Sequence, residues 1–288
     1  MTHPEFHHVG VIGAGAMGHG IAQISAMGGY EVTLYDADPA QAREAMERIR
    51  NNLDKGVHKR KVEPDVRAAT LARLRAARYK LEAVENADLV IEAIPERMEL
   101  KTALFNELDN LAPAQAVLAT NTSSLSISEI AKATERAGSV IGLHFFNPVH
   151  IMRLLEVVRG EETLDETVEA ALGFAHAVGK DPIVVTDTPG FASSRLGVVL
   201  GLEAMRMLES GVASAADIDK AMELGYNHPM GPLRLTDLVG LDVRLGIAEY
   251  LHGTLGGEQY SPPEILRRMV DDGLLGKKSG SGFYEWKN

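Results

Sequence analysis

The sequence contains no cysteine, which excludes disulfide bonds, thiolate nucleophiles and thiolate metal sites. It also lacks an apolar run long enough to cross a bilayer, and its first residues, "MTHPEFHHVG", have no basic region followed by an apolar core, so we expect no secretory signal and a cytoplasmic location. Basic residues number 29 against 40 acidic ones, and the net charge of −11 argues against broad nucleic-acid binding. What is present is a globular composition of 288 residues, 45% of them hydrophobic, enough for one large or two smaller cores.

The first half of the chain alternates short apolar runs with longer helical patterns. Predicted strands are "VGVIGAG", "EVTLYD", "ADLVIEAI", "AVLATN" and "SVIGLHFF", which are mostly continuous apolar runs of the kind covered on both faces. Predicted helices between them are "GHGIAQISAM", "PAQAREAMERIRNNLDK" and "ELKTALFNELDNL". This alternation predicts βαβ units and a parallel sheet.

The pattern changes after "PIVVTDTPGF". From there the chain is helical in period, in the stretches "SRLGVVLGLEAMRMLESG", "SAADIDKAMELG", "RLTDLVGLDVRLGIAEYLHG" and "PPEILRRMVDDG", most of which end at glycine. We therefore predict two domains, an α/β domain over residues 1–186 and an all-α domain over residues 187–288.

A glycine motif lies between the first predicted strand and helix. Gly13, Gly15 and Gly18 have the spacing G-x-G-x-x-G, and Asp36 ends the next strand about 20 residues on. Gly13 permits a tight turn, Gly15 lets the backbone approach a pyrophosphate, and Gly18 allows close helix–strand packing. The motif predicts a Rossmann doubly wound sheet that binds a dinucleotide at the start of the helix. The other residues expected at this turn are Ala14, Ala16 and Met17.

Asp36 also predicts which dinucleotide binds. Its carboxylate can accept hydrogen bonds from ribose hydroxyls and would repel a 2′-phosphate, so the sequence favours NAD over NADP. The alternative is a glycine-rich turn without a ligand.

Two titratable residues occur within apolar strand patterns. His144 ends "VIGLH", and Glu156 lies inside "LLEVV" after an Asn147-Pro148 turn. If the two segments pair, the carboxylate can orient the imidazole and stabilise its charged form, so that the histidine takes the hydroxyl proton of an alcohol oxidised by NAD. The alternative is a core histidine bonded to backbone.

Seven motifs in order carry a resemblance to a known family. They are "GAGAMGHGIAQ", "NTSSLSI", "GLHFFNPV", "LLEVV", "DTPGF", "HPMGPLRLTDLVGLD" and "GKKSGSGFYEW". From about Val9 to Trp286 the chain resembles the short-chain L-3-hydroxyacyl-CoA dehydrogenases, including the 3-hydroxybutyryl-CoA dehydrogenases. The resemblance implies oxidation of an L-3-hydroxyacyl-CoA to the 3-ketoacyl-CoA with NAD, a place in fatty-acid β-oxidation, and a homodimer formed through the helical domain.

The resemblance also implies roles for particular residues. His144 is the implied general base, Glu156 its orienting carboxylate, and Ser123 a contact of the reacting oxygen and the cofactor. Further implied NAD contacts are Asn147, Glu96, Lys101 and Lys278. Taken alone, Glu96 and Lys101 also fit a surface pair at a helix start, and Lys278 a solvated tail.

The serine-rich segment that contains Ser123 has a second interpretation. Ser126 and Glu129 fit a capping box for the following helix, so we interpret those two as structural. Ser123 precedes this cap and is itself compatible with a plain turn.

Besides Ser123, substrate contacts are implied at three further positions. Ser194 stands where the family usually has an asparagine that contacts the acyl part, which leaves the chain-length preference open. Lys59 and Asn52 match coenzyme A contacts, and Lys59 belongs to a basic cluster at residues 55–61 that is alternatively a solvated helix end.

No metal-ligand constellation is evident, and a histidine base needs none. His3, His7 and His8 are interpreted as surface or edge residues. Two other functions stay open: a dehydrogenase of a free hydroxy acid or sugar acid on the same scaffold, and a non-catalytic NAD-binding protein.

Overall fold

The computed structural model describes residues 6–286 and divides into two compact units, Met1–Asp187 and Thr188–Asn288. His3 lies outside the described residues. Among the helices of residues 6–286, none is both long and apolar enough to span a membrane.

The first unit is built on one sheet. Its strands are β1 (His8–Ile12), β2 (Glu31–Tyr35), β3 (Leu74–Ala76), β4 (Leu89–Glu92), β5 (Val117–Thr120), β6 (Val140–Phe145), β7 (Leu154–Arg159) and β8 (Asp181–Thr186). The order is β3-β2-β1-β4-β5-β6-β7-β8, and every pair is parallel except β6 with β7. The α/β doubly wound fold predicted from the sequence is confirmed.

Helices accompany the strands of this unit. They are α1 (Gly18–Met27), α2 (Pro39–His58), α3 (Pro64–Ala72), α4 (Lys80–Val84), α5 (Met98–Leu111), α6 (Ile127–Ala131) and α7 (Asp165–Ala177). The central strands β4, β5 and β6 are buried at every residue, as their continuous apolar runs require. From β1 the chain builds the sheet toward one edge through β2 and β3, and then continues on the other side of β1 with β4. The carboxyl ends of β1 and β4 therefore flank the switch point, where such sheets bind ligands.

Side-chain caps set the start of two of these helices. Asp38 precedes α2 and accepts from the backbone N–H of Ala40 at 2.8 Å, with Pro39 pre-set for the first turn. Ser126 caps α6 by accepting from the N–H of Glu129 at 3.2 Å. The carboxylate of Glu129 pairs with Lys132, so the serine half of the predicted capping box is present and the glutamate has another partner.

The second unit is helical. Its helices are α8 (Ser193–Glu209), α9 (Ala215–Gly225), α10 (Pro232–Val239), α11 (Leu241–Leu255) and α12 (Glu264–Asp271). The single helical stretch predicted from "RLTDLVGLDVRLGIAEYLHG" is wrong, because the chain breaks between α10 and α11 at Gly240. That glycine has a φ of +106°, which ends one helix and starts the next in a conformation that other residues rarely adopt.

A buried carboxylate fixes the segment up to Trp286 to this unit. Asp237 on α10 accepts from the backbone N–H groups of Phe283 and Tyr284 at 2.8 and 2.9 Å, and from the indole N–H of Trp286 at 2.8 Å. The guanidinium of Arg234 lies over the rings of Tyr284 and Trp286. The segment "GKKSGSGFYEW" is therefore an anchored part of the domain.

Candidate active site

The glycine turn has the geometry that an approaching phosphate needs. Gly13 has a φ of +101°, and a Cβ there would lie 2.6 Å from the carbonyl oxygen of Ala93. A Cβ on Gly18 would lie 1.7 Å from the oxygen of Gly13, whereas one on Gly15 would meet nothing within 4 Å. Gly13 and Gly18 are thus required by packing, and Gly15 leaves open space in front of the start of α1.

A groove of ≈ 690 Å³ lies against this turn. Its lining includes Gly13, Gly15, Ala16, Met17, Asp36, Gln41, Lys80, Leu100 and Glu107. Asp36 also holds the turn, because one carboxylate oxygen accepts from the N–H of Ala14 at 2.7 Å and the other from the N–H of Asp38 at 2.9 Å. The groove, the glycine cradle and this carboxylate fit the adenosine and pyrophosphate of a dinucleotide.

His144 and Glu156 form the pair that the sequence predicts. They are directly opposite each other in the antiparallel ladder of β6 and β7, and Nδ1 of the histidine lies 2.6 Å from Oε2 of the glutamate. Both side chains are buried, and the histidine ring lies 4.4 Å from the ring of Phe146. A carboxylate at this distance selects the tautomer with hydrogen on Nδ1, which leaves acid–base chemistry to Nε2.

Ser123 follows β5 and is tied to Glu96. One oxygen of Glu96 accepts from the hydroxyl of Thr122 at 2.6 Å and from the N–H of Ser123 at 2.8 Å, and lies 3.2 Å from the Ser123 hydroxyl. Neighbouring Asn121 accepts, through its side-chain oxygen, from the N–H of Phe145 at 3.1 Å. The Ser123 turn is therefore connected to the strand that carries His144.

Lys101 lies behind Glu96 and is fully enclosed. Its ammonium is 2.6 Å from Oε1 of Glu92 and 3.5 Å from Oε2 of Glu96, and its side chain is 0% exposed. The surface pair considered from the sequence is wrong for Lys101, because burial requires a partner carboxylate. Its contact with NAD stays a prediction.

Asn147 begins the turn that joins β6 to β7. It is exposed, and its peptide bond to Pro148 is cis. The buried ammonium of Lys180 holds this turn in place, because it donates to the carbonyl groups of Val149 and Met152. Burial lowers the pKa of Lys180. Gly20 on α1 makes room for Val149, because a Cβ there would lie 2.7 Å from the valine Cβ.

The predicted substrate contacts occupy separate places in the two units. Asn52 lies on α2, 3.4 Å from Gln23 through its amide, and Lys59 is the exposed cap that follows the helix. Ser194 is in the first turn of α8. In the second unit Lys278 is paired with Asp242 at 2.5 Å, so it is not the solvated tail considered from the sequence.

These features define a class of protein. A doubly wound sheet with a dinucleotide cradle, and a histidine oriented by a carboxylate on a later strand of the same sheet, is typical of nicotinamide-dependent dehydrogenases. Within residues 6–286, no group of three or more histidine, aspartate or glutamate side chains could hold a metal ion.

Comparison with known proteins identifies the family. Residues 8–188 match the model of the 3-hydroxyacyl-CoA dehydrogenase NAD binding domain, and residues 190–286 match the C-terminal domain of the same family. The chain belongs to the 3-hydroxyacyl-CoA dehydrogenase family. It is an NAD-dependent oxidoreductase that acts on a 3-hydroxyacyl-CoA.

Relatives match over almost the whole chain. A probable 3-hydroxybutyryl-CoA dehydrogenase of Bacillus subtilis is 44% identical over 98% of both chains. The human mitochondrial hydroxyacyl-coenzyme A dehydrogenase is 41% identical over 97% of this chain and 91% of that protein. The solved structure of (S)-3-hydroxybutyryl-CoA dehydrogenase PaaH1 from Ralstonia eutropha superposes with a TM-score of 0.94 at 38% identity, covering 99% of this chain and 100% of that one.

Several residues at the site were not predicted. They make polar contacts with the predicted residues or with the strands and turns that carry them, and they are Glu92, Asn121, Thr122 and Lys180. Glu92 carried a usable signal, because a carboxylate that ends the apolar run "LVIE" must be paired when the strand is buried.

Proposed function

We propose that the enzyme oxidises the 3-hydroxyl of short or medium L-3-hydroxyacyl-CoA thioesters, such as 3-hydroxybutyryl-CoA, in a reversible reaction. The observation that carries this proposal is the 2.6 Å hydrogen bond between His144 and Glu156, on the same sheet as the dinucleotide cradle. NAD, when bound, supplies the hydride acceptor. The protein supplies the base.

The proton path follows from the histidine's fixed tautomer. Nδ1 donates to Glu156, so Nε2 accepts the proton of the substrate's 3-hydroxyl as the carbonyl forms. The carboxylate stabilises the imidazolium that results, and in the reverse direction Nε2 returns the proton to the ketone oxygen. Ser123, held by Glu96, would contact the same oxygen.

The remaining cofactor contacts belong to the same proposal. The turn from Gly13 to Gly18 would hold the pyrophosphate, and Asp36 would hold the adenosine ribose. The open space at Gly15 and the groove beside it support this proposal. Asn147 and Glu96 would lie at the nicotinamide end, with Lys101 and Lys278 as the further contacts that the family implies.

Coenzyme A and the acyl chain would use other residues. Lys59 would attract phosphate at the exposed end of α2, and Asn52 would add a hydrogen bond about two turns earlier. Ser194 would lie near the acyl group. A serine reaches less far than the asparagine usual in the family, so a water would bridge the remaining distance.

We further propose a homodimer formed through the helical unit and a cytoplasmic role in fatty-acid β-oxidation. The dimer is supported by exposed leucines on the helices α8 and α10.

The substrate proposal is tested by following NADH formation from L- and D-3-hydroxybutyryl-CoA, from free 3-hydroxybutyrate, and from L-3-hydroxyacyl-CoAs of increasing length. We expect turnover of the L-thioester with NAD and little with NADP, the D-thioester or the free acid. Faster oxidation of free 3-hydroxybutyrate than of its thioester would refute the proposal, as would tight NAD binding without turnover of any thioester.

The His144→Gln variant tests the assignment of the base. We expect kcat to fall by about 10²–10⁴-fold, the usual contribution of general acid–base catalysis, while the dissociation constant of NAD changes little. The matched control is His176→Gln at an exposed position of α7, which should leave kcat unchanged. Near-normal turnover by His144→Gln would remove the histidine from the mechanism.

A further inference from the structure

A chain of charges runs from the core of the first unit to the Ser123 turn. Glu92 and Lys101 are both 0% exposed and 2.6 Å apart. The carboxylate of Glu92 also accepts from the N–H of Ile94 and from the hydroxyl of Thr120, each at 2.7 Å. Every oxygen of this carboxylate is therefore engaged by protein donors.

Because both charges of this pair are buried away from water, each depends on the other as its partner. Desolvation raises the pKa of Glu92, and the ammonium of Lys101 is the largest of the influences that oppose this rise. Removing one member of such a pair leaves an uncompensated charge in the interior, which forces the other member to find a new partner.

The ammonium of Lys101 has two further neighbours, and both lead to the site. It donates to the carbonyl oxygen of Asn121 at 3.3 Å, and it lies 3.5 Å from Oε2 of Glu96. The other oxygen of Glu96 holds the backbone and hydroxyl of Ser123. One cation thus touches the two residues that fix the Ser123 turn.

A purely structural role would be to fasten α5 to the sheet. The pair of Arg136 and Asp109, at 2.6 Å, has a comparable role at the other end of α5, which it fastens to the loop before β6 and not to a site residue. The Glu92–Lys101 pair differs, because it lies at the carboxyl ends of β4 and β5 and shares its cation with Glu96.

We propose that Glu92 is a positioning residue for the dehydrogenation: through Lys101 and Glu96 it sets the place of the Ser123 hydroxyl. This inference rests on the proposed function, because it assumes that Ser123 contacts the reacting oxygen. Glu92 itself touches neither substrate nor cofactor in this scheme.

The physical reason lies in the competition for Lys101. With Glu92 ionised, the ammonium is drawn to Oε1 at 2.6 Å and stays 3.5 Å from Glu96. If Glu92 becomes a neutral amide, Glu96 is the nearest remaining carboxylate that the described residues offer to the ammonium. The attraction of the ammonium would draw the Glu96 carboxylate toward Lys101 and away from Ser123.

The test is a double-mutant cycle between Glu92→Gln and Ser123→Ala, measured as kcat/KM for L-3-hydroxybutyryl-CoA. We expect Glu92→Gln to lower kcat/KM about tenfold in the wild-type background and less than twofold further when Ser123 is already alanine. Equal losses in both backgrounds would overturn the proposal, because an effect on general folding does not depend on the Ser123 hydroxyl.

A second variant covers poor folding of Glu92→Gln. In the Lys101→Met background, where the ammonium that links Glu92 to Glu96 is absent, Glu92→Gln should raise Tm by removing an unpaired buried carboxylate and should change kcat/KM less than twofold. A tenfold loss of kcat/KM in that background as well would overturn the proposal, because Glu92 would then act by a route other than Lys101. Asp109→Asn is the matched control on α5: it should lower Tm while leaving kcat/KM unchanged in both Ser123 backgrounds.

The same measurements separate the two levels of inference. If the wild-type enzyme fails to oxidise L-3-hydroxybutyryl-CoA, the proposed function is wrong. If the wild type is active and Ser123→Ala impairs it, but the cycle is additive, only the role of Glu92 is wrong.

Discussion

Asp36 has two tasks at the end of β2. Both of its oxygens accept backbone N–H groups, one of them from Ala14 in the glycine turn, and its side chain also lines the groove. The carboxylate therefore shapes the cradle before any ligand arrives. Its negative charge adds selectivity, because a ribose hydroxyl can donate to it and a 2′-phosphate cannot.

Replacement of Asp36 by asparagine separates these tasks. The amide keeps an oxygen for the N–H of Ala14 and removes the charge that opposes a 2′-phosphate. We expect the ratio of kcat/KM with NAD to that with NADP to fall by about tenfold, equivalent to roughly 1.4 kcal/mol. Steady-state kinetics with both cofactors measures it.

Asp38→Asn is the control for this prediction. Asp38 is a neighbouring exposed carboxylate that caps α2, and asparagine caps a helix as well as aspartate does. An unchanged cofactor ratio for Asp36→Asn, or an equal change for Asp38→Asn, would show that the charge of Asp36 does not select the cofactor.

The contacts around His144 could be predicted in part from the sequence. Each member of the His144–Glu156 pair interrupts an apolar strand pattern, and a turn between the strands predicts that they meet. The need of Glu92 for a partner could be predicted, but the identity of that partner could not, because a strand end and a residue of the following helix, nine positions apart, share no periodicity.

At the scale of elements, strongly patterned segments were predictable, whereas β3 and β8 were not. The predicted bounds of α1 are those observed, Gly18–Met27. The three-residue strand β3 offers too few residues for a pattern, and β8 is an edge strand with exposed Ile183 and Val184. The break at Gly240 was missed because the apolar spacing continues across it.

The glycine turn supports a prediction at this scale. Gly13→Ala places a Cβ against the oxygen of Ala93 and requires alanine at a φ of +101°. We expect a loss of more than about 1 kcal/mol in the free energy of unfolding, and NAD binding weakened by about tenfold or more as the cradle shifts. Thermal unfolding and NAD titration measure the two effects.

Gly173→Ala provides the comparison. Gly173 is an exposed residue within α7 where a Cβ would meet nothing within 4 Å. Alanine there should raise stability by about 0.5–1 kcal/mol and leave NAD binding unchanged. A Gly13→Ala protein with the stability and cofactor affinity of the wild type would show that the turn tolerates a Cβ at this position.

On the scale of the whole molecule, the two units have separate cores with different surfaces. The first unit carries a local cluster of cations at residues 55–61, although the net charge of the chain is −11. An anionic thioester would therefore be attracted by this local positive charge and not by the total charge of the protein. The second unit exposes leucines: Leu196 is 66% exposed on α8, and Leu200 follows one turn later.

The proposed dimer predicts what happens when this apolar surface is charged. Leu196→Glu should give particles of one chain mass, 31.1 kDa, where the wild type has twice that mass. A buried glutamate without a partner opposes association. Light scattering after gel filtration measures the mass.

Leu81→Glu charges an exposed leucine of α4, in the first unit, and should leave the dimer intact. A wild-type protein of single-chain mass would contradict the proposed dimer. A Leu196→Glu protein that remains at twice the chain mass would place the interface elsewhere.

The anchored segment "GKKSGSGFYEW" gives this protein an intrinsic fluorescent probe. Trp286 is the single tryptophan among 288 residues, its indole N–H is bonded to Asp237, and the ammonium of Lys277 lies 5.5 Å from the ring centre. Intrinsic emission excited at the indole band therefore originates from one site, eight residues after Lys278. Release of that segment into water would shift the emission to longer wavelength without any attached label, so its docking can be followed in the unmodified enzyme.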